Sequence, residues 1–270
     1  MMPNLTVMGF KLSSNSKTGY SVNVSRRSCR PTPLCRERCY GKRVTLADIS
    51  RLEAAGEDTR CLSPNAGPIT WDKMQAVYER NFDILQQLRR EGQIDRLAAR
   101  LASHWLRFRS GEILRGCGLG DLWPPLVDLF AQLAMHGVPL FLFSRKAEMI
   151  DRLREACDAL NVGHDCRPWV LGSVDPSTTM EDLRALQTAT LKMNGIATLA
   201  GVWYDETVRA GERPIPNWHI FESGIRVIFG YHTNHKHTRV PRSISYMECP
   251  ATAGTGTICR ECRRCYGRHA

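Results

Sequence analysis

Four cysteines near the carboxyl end of the sequence have a spacing that suits a metal centre. Cys259, Cys262 and Cys265 follow one another at gaps of two residues, and Cys249 lies a short distance upstream. Such a run directs three thiolates at one face of an iron–sulfur cluster, and Cys249 can supply the fourth. A structural zinc is the alternative, although zinc sites usually pair two separated Cys-x2-Cys motifs. The tail therefore predicts a closed four-iron (4Fe-4S) cluster, with zinc as the competing interpretation.

A second group of cysteines lies near the amino end and has no obvious fourth member. Cys29, Cys35 and Cys39 are separated by five and three residues. Three protein ligands on a four-iron cluster leave one iron open to a small molecule, just as catalytic zinc sites keep one position free. This group predicts an open cluster that performs chemistry. A zinc site completed by Cys61 or by a histidine is the alternative.

The remaining cysteines and a group of histidines are weaker candidates. Cys157 on a helical pattern and Cys166 before a predicted strand are expected to pack in the core, where free cysteine is common. Cys61 and Cys117 occupy positions where a ligand could sit, and a packed or exposed thiol is the other interpretation of each. Three histidines follow the last predicted strand: His232, His235 and His237. They could ligate a metal or transfer protons, and a solvated polar loop is the other interpretation.

The elements that would position these groups alternate along most of the chain. Residues Tyr20 to Ser25 alternate apolar and polar side chains and predict a strand that runs into the first cysteine group. Two amphipathic helices are predicted over Thr70 to Arg90 and Ile94 to Leu106. Strands and helices then alternate as follows: strand 113–117, helix 125–136, strand 139–143, helix 147–160, strand 169–174, helix 179–193, strand 196–202 and strand 226–231.

This alternation predicts an α/β fold with parallel strands and crossover helices. Six strands are too few for a complete eight-stranded barrel, which leaves a partial (β/α)6 barrel or an open doubly wound sheet. Both place an active site at the carboxyl ends of the strands. We expect residues 1–240 to form this unit, with a helical insertion at about 45–108, and residues 241–270 to form a cysteine-rich, cluster-binding extension.

The amino-acid composition indicates what kind of partner, cellular location and cysteine chemistry to expect. The 37 Lys and Arg residues against 27 Asp and Glu give a net charge of +10, which favours a polyanion such as nucleic acid as a partner. Several arginines lie beside the cysteines, where they could instead balance thiolate charge. No apolar run approaches bilayer length and the start lacks a signal-peptide layout, so a cytoplasmic protein without membrane contact is expected. In that compartment the 11 cysteines favour metal ligation over disulfides.

With these residues in place, the chain resembles the phage gene-product eighty-eight family, a group related in layout to radical SAM enzymes. The shared motifs cover most of the chain, although each is short. They are the cysteine loop ending in Cys39-Tyr40, Asn81 to Leu85, the pair Gly120-Asp121, Phe141 to Lys146, Cys249-Pro250 and the Cys259/Cys262/Cys265 tail.

The resemblance implies a fold, a cofactor and a reaction. It implies that Cys29, Cys35 and Cys39 hold a (4Fe-4S) cluster that binds S-adenosylmethionine (SAM) and cleaves it reductively to a 5′-deoxyadenosyl radical. A flavodoxin or ferredoxin would supply the electron, and the four C-terminal cysteines would hold an auxiliary cluster. The glycine-rich and acidic element that meets the methionine group of SAM would correspond to Gly118, Gly120 and Asp121, for which a plain strand-to-helix cap is the alternative. The gaps of five and three residues differ from the usual three and two.

The leading hypothesis from the sequence is thus an iron–sulfur enzyme of radical SAM type acting on an unidentified substrate. Two alternatives remain open. One is a nucleic-acid-binding protein that zinc or an iron–sulfur cluster stabilises, and the other is an electron-transfer or sensor protein without substrate chemistry.

Overall fold

The computed structural model describes residues 5–15, 19–32, 54, 68–109, 112–118, 120–175, 177–204, 225–231 and 247–248. Across these residues the chain is an α/β protein with one sheet of nine strands and five α-helices of defined extent. No helix within the described ranges is long and apolar enough to cross a membrane.

The strands follow the chain order without exception. They are β1 (Leu5–Val7), β2 (Phe10–Asn15), β3 (Gly19–Val22), β4 (Leu114–Gly116), β5 (Leu140–Ser144), β6 (Trp169–Val174), β7 (Leu199–Tyr204), β8 (Ile225–Tyr231) and β9 (Met247–Glu248). The pairs β1–β2 and β2–β3 are antiparallel, and every later pair is parallel. The predicted α/β class with parallel strands and crossover helices is therefore confirmed.

Among the described residues, helices connect the successive parallel strands from β3 to β7. They are α1 (Pro68–Arg90) and α2 (Ile94–Phe108) between β3 and β4, α3 (Pro124–Met135), α4 (Ala147–Ala159) and α5 (Met180–Asn194). In α2 the buried residues Leu97, Leu101 and Trp105 recur every four positions, so one face of the helix lies in the core. Pro124 and Pro125 begin α3, where their missing N–H groups cost no helical hydrogen bond.

The main core lies between the helices and one face of the sheet. Leu114, Leu142 and Val170 of three adjacent strands belong to it, together with Phe130 of α3 and Leu153 of α4. A Cβ at Gly116 would lie 2.7 Å from Cζ of Phe130, which shows how closely β4 approaches α3. The opposite face of the sheet carries a separate, smaller apolar cluster around Phe141 and Trp169.

The described residues form nine strands, whereas the sequence predicted six. The additional strands are β1, β2 and β9, and none of them has a clear sequence pattern. The hairpin β1–β2 turns at Met8 and Gly9, which both have positive φ (50° and 79°), and methionine is not a usual residue for such a turn. Strand β9 has only two residues, too few for a periodicity. It pairs with β8 although it lies in the segment 241–270 that the sequence assigned to the extension. The part of the predicted helical insertion that precedes residue 68 falls, apart from residue 54, outside the described residues.

Candidate functional site

The first parallel strand delivers Cys29 to the carboxyl edge of the sheet through a short, anchored turn. After β3, a 3-10 turn spans Arg26–Ser28, and the Oγ of Ser25 accepts a hydrogen bond from the N–H of Arg27. Ser25 also donates from Oγ to Oε1 of Glu79 on α1 at 2.5 Å, and its N–H donates to the carbonyl of Tyr78. These contacts fix the turn against α1 and leave Cys29 half-buried at its end.

The loop after the next strand, β4, packs directly against this turn. A Cβ at Gly120, which has φ of 86°, would lie 2.6 Å from Cγ2 of Val24 and 2.8 Å from Oγ of Ser28. A Cβ at Gly118 would lie 2.6 Å from Oδ1 of Asn23. At Gly120 the positive φ and the nearby backbone carbonyl of Val24, 3.0 Å from such a Cβ, favour glycine. The two predicted cofactor-binding glycines therefore bring the β4 loop against the segment that carries Cys29.

Asp121 ties the β4 loop to the end of β5. Its Oδ1 accepts hydrogen bonds from the N–H of Leu122 and from Oγ of Ser144, both at 2.7 Å, and its Oδ2 accepts from the N–H of Arg145 at 3.3 Å. The N–H of Asp121 itself donates to Oγ of Ser28. The side chain is buried, so its carboxylate acts within the protein as a cap and a connector. This arrangement favours the capping interpretation of Asp121.

Two cations complete the connections among the strand ends. Nζ of Lys146 donates to the carbonyls of Ser28 at 2.5 Å and of Leu122 at 2.9 Å. Arg145 forms an ion pair with the buried carboxylate of Asp175, at 2.9 Å between Nη1 and Oδ2. Both cations are thus engaged with groups of the protein itself. The ends of β3, β4, β5 and β6 are thus joined into one polar network, here called the rim.

Thr32 extends the rim to the segment just beyond Cys29. Its Oγ1 donates to Oδ2 of Asp175 at 2.5 Å, and Oδ1 of Asp175 accepts from both the N–H and Oγ of Ser177. The chain on both sides of Cys29 is therefore held by contacts to other strand ends, Ser28 on one side and Thr32 on the other. Sequence reasoning did not identify Asp175, although a carboxylate that follows a buried parallel strand was a signal for it. Nothing in the sequence pointed to Thr32.

Burial raises the pKa of two groups beside the rim, Cys117 and Asp121. The pKa of Cys117 lies well above its ordinary value, first because the thiol is buried and then because of the charges of Asp121 and Cys29, while Lys146 and Arg115 oppose the shift. The pKa of Asp121 is also raised by burial, against the lowering effect of the hydrogen bond from Ser144. Cys117 is therefore a neutral, packed thiol at neutral pH, because burial and the nearby negative charges both disfavour its thiolate.

Of the seven predicted cluster ligands, Cys29 alone falls within the described residues. Those outside are Cys35, Cys39, Cys249, Cys259, Cys262 and Cys265, as well as Cys61 and the histidines His232, His235 and His237. Within the part of the chain that the structure describes, no three histidine, cysteine, aspartate or glutamate residues are grouped as a metal site. The cluster ligands consequently stay a prediction.

The two cysteines expected to be packed differ from each other. Cys157 is fully buried on α4, as predicted, and burial raises its pKa to about 11. The prediction for Cys166 is wrong, because this residue is exposed in a 3-10 turn, His164–Cys166, that precedes β6. A turn at the amino-terminal edge of the sheet lies beyond the apolar layer, so its side chains face solvent.

Comparison of the chain with models of protein families, with curated proteins and with solved structures finds no match.

Proposed function

We propose that this chain is an iron–sulfur enzyme of radical SAM type, built on a partial (β/α)6 barrel. In this proposal Cys29, Cys35 and Cys39 hold a (4Fe-4S) cluster, and Cys249, Cys259, Cys262 and Cys265 hold an auxiliary one. The first cluster, reduced by a flavodoxin or ferredoxin, would supply the one electron needed to cleave SAM to methionine and a 5′-deoxyadenosyl radical for hydrogen abstraction from a substrate.

The observation that carries the proposal is the placement of Cys29. Cys29 follows the first parallel strand, β3, and its turn contacts the loops after β4 and β5 through Gly120 and Lys146. In α/β proteins the loops at the carboxyl ends of parallel strands form the active site. A half-buried thiol held there by hydrogen bonds on both sides has the chemistry and the position of a cluster ligand.

The strand order supports a barrel over a doubly wound sheet. In a doubly wound sheet the order reverses at a switch point, and helices cover both faces. Here β3 to β9 follow chain order without reversal. Because crossovers between parallel strands are right-handed, an order that proceeds in one direction puts the connecting helices on one side. Helices on one side are expected of a barrel wall, which would enclose the opposite face of the sheet.

The second cysteine group supports the proposal through its place in the sequence. Cys249 comes directly after Glu248, the last residue of β9. Since β9 is parallel to β8, its carboxyl end lies at the same edge of the sheet as that of β3. Both cysteine groups thus begin at the carboxyl end of a parallel strand. The residues of the rim, Ser28, Lys146 and Asp175 among them, would hold the loops in place.

Metal analysis of the anaerobically purified full chain tests the proposal. After reconstitution with iron and sulfide we expect about eight iron and about eight sulfide per chain, as for two four-iron clusters. Cys29→Ser should reduce both to about four, whereas the matched control Cys166→Ser, an exposed cysteine away from the rim, should leave them unchanged. One or two zinc ions per chain without sulfide would refute an iron–sulfur enzyme.

A turnover assay then separates an enzyme from an electron carrier. With dithionite and SAM the reconstituted chain should form 5′-deoxyadenosine, and Cys35→Ala should abolish this product. A yield in the wild-type chain no higher than in Cys35→Ala would remove the radical SAM assignment while leaving the clusters intact.

A further inference from the structure

The exposed side of α2 carries a line of arginines, here called the arginine stripe: Arg96, Arg100 and Arg107. With the exposed Ser103 they follow one another at intervals of four, three and four residues, which keeps them on one face of the helix. At the rise of an α-helix the stripe extends over about 16 Å. The residues of α2 that enter the core lie on the opposite face, so the whole stripe is open to solvent.

The surrounding protein leaves the charge of the stripe uncompensated. Across the described ranges no carboxylate forms an ion pair with an arginine of the stripe, whereas Arg109 forms one just beyond the end of α2. Asp95, the one acidic residue of the α2 sequence, lies in the first turn, where the helix dipole favours a carboxylate. Exposed cations of one sign on one surface attract a polyanion, and guanidinium groups match phosphate oxygens with two parallel N–H donors.

An exposed aromatic ring lies beside the carboxyl end of the stripe. Phe108 is 56% exposed, the guanidinium Cζ of Arg107 lies 5.0 Å from the centre of its ring, and the ring of His104 lies 4.7 Å away. Proteins that bind single strands combine a positively charged track for the phosphates with aromatic rings on which unpaired bases stack. Arginines next to an exposed phenylalanine therefore favour a single strand over a duplex, whose bases are stacked on one another.

A membrane surface is a poorer match for α2, although anionic lipids also attract arginines. A helix that lies on a membrane inserts its apolar face among the lipids. The apolar face of α2 is occupied, because Leu97, Leu101 and Trp105 are buried. The ring of Trp105 packs edge to face against Tyr20 of β3 at 5.9 Å. The stripe is thus fixed to the sheet with only its polar face available.

We propose that the exposed face of α2 binds single-stranded nucleic acid, with the arginine stripe on the phosphates and the ring of Phe108 against an unpaired base. The carboxyl end of α2 leads into the amino end of β4, at the edge of the sheet opposite the rim. This assignment goes beyond the proposed cluster chemistry and does not rest on it, because none of the residues that carry it belongs to a cysteine group or to the rim.

Fluorescence anisotropy on the full chain tests the stripe with labelled single strands of about 20 nucleotides, one of DNA and one of RNA, and with a duplex of the same length. We expect at least one single strand to bind at least about fivefold more tightly than the duplex. The tighter of the two identifies the sugar that the surface prefers. Equal or tighter binding of the duplex, or no binding of either single strand at about 0.1 mM protein, would overturn the proposal.

A pair of charge-matched double variants assigns the binding to α2. Arg96→Gln with Arg100→Gln removes two phosphate contacts, so the Kd should rise about tenfold and the slope of log Kd against log salt should fall by about 1.4. Arg152→Gln with Arg184→Gln removes the same charge from exposed positions on α4 and α5 and should change neither quantity. Equal effects of the two double variants would show a response to net charge alone and would contradict a site on α2.

The aromatic contact has its own variant and control. Phe108→Ala should raise the Kd of the single strand about fivefold or more while leaving the salt slope unchanged, because it removes a stacking surface and no charge. Leu191→Ala, which shortens an apolar side chain of α5 that is 49% exposed, should bind as the wild type does. An unchanged Kd in Phe108→Ala would remove the base from the proposed site.

Competition separates nucleic acid from other polyanions. Unlabelled single strand should displace the labelled strand, whereas polyglutamate and phosphatidylserine vesicles at the same concentration of charge should displace it at least about tenfold less well. Equal displacement by either would assign the stripe to an acidic protein segment or to a membrane instead. Single-strand binding by a chain that assembles no cluster would refute the proposed function alone.

Discussion

The carboxylate of Asp121 accepts hydrogen bonds from Leu122, Ser144 and Arg145 at a buried position between the loops after β4 and β5. Its removal leaves three donors without their acceptor and away from water. We expect Asp121→Ala to lower the free energy of unfolding by about 3 kcal/mol, which urea denaturation followed by circular dichroism will measure.

The same substitution at an exposed carboxylate provides the control for Asp121. Asp128 pairs with Arg89 at 2.8 Å, and both side chains are exposed to solvent. Asp128→Ala should cost only about 0.5 kcal/mol, because solvent screens such a pair. Similar losses in the two variants would show that Asp121 is not a structural connector of the rim.

At the scale of elements, the approach of β4 to its neighbours depends on Gly116. A Cβ there would lie 2.0 Å from Cδ2 of Leu142 on β5 and 2.7 Å from Cζ of Phe130 on α3. Both neighbours are buried in the core and have little room to move. We expect Gly116→Ala to destabilise the fold by about 2 kcal/mol in thermal or urea unfolding.

Gly163, before β6, offers the matched glycine for this experiment. A Cβ at Gly163 would meet nothing within 4 Å, and its φ is −56°. Gly163→Ala should therefore change stability by less than about 0.5 kcal/mol. A loss at Gly163 as large as that at Gly116 would contradict the role of close packing between β4, β5 and α3.

The sequence predicted best those elements in which apolar residues recur regularly over the whole length of the element. Helix α2 was expected over Ile94 to Leu106 and spans Ile94–Phe108, and strand β6 was predicted with its observed bounds. The hairpin turn at Met8 escaped prediction because its positive φ is imposed by the paired strands and by Gly9 rather than by methionine itself. Local pattern also cannot show which distant residues meet. The contact of Thr32 with Asp175 spans 143 residues.

At the scale of the whole molecule, the proposed clusters would bind next to the two outermost strands of the parallel part of the sheet. One cysteine group follows β3, its first parallel strand, and the other follows β9, its last. The apolar core lies elsewhere, since Leu126, Phe130, Leu142 and Leu153 pack between the central strands and α3 and α4. Metal binding should therefore stabilise the edges of the sheet more than its centre.

Hydrogen exchange measured by mass spectrometry tests this linkage between metal and fold. After anaerobic chelation, exchange should increase most in residues 26–32 and in β8 and β9, whereas β5 and α3 should keep their protection because their packing does not involve the cysteine segments. Cys166→Ser, treated in the same way, should give the wild-type pattern in both states. A uniform loss of protection would mean that the metal sites hold the entire fold. An unchanged pattern would mean that the cysteine groups do not couple to the sheet, and either result would contradict the placement of ligands at the ends of β3 and β9.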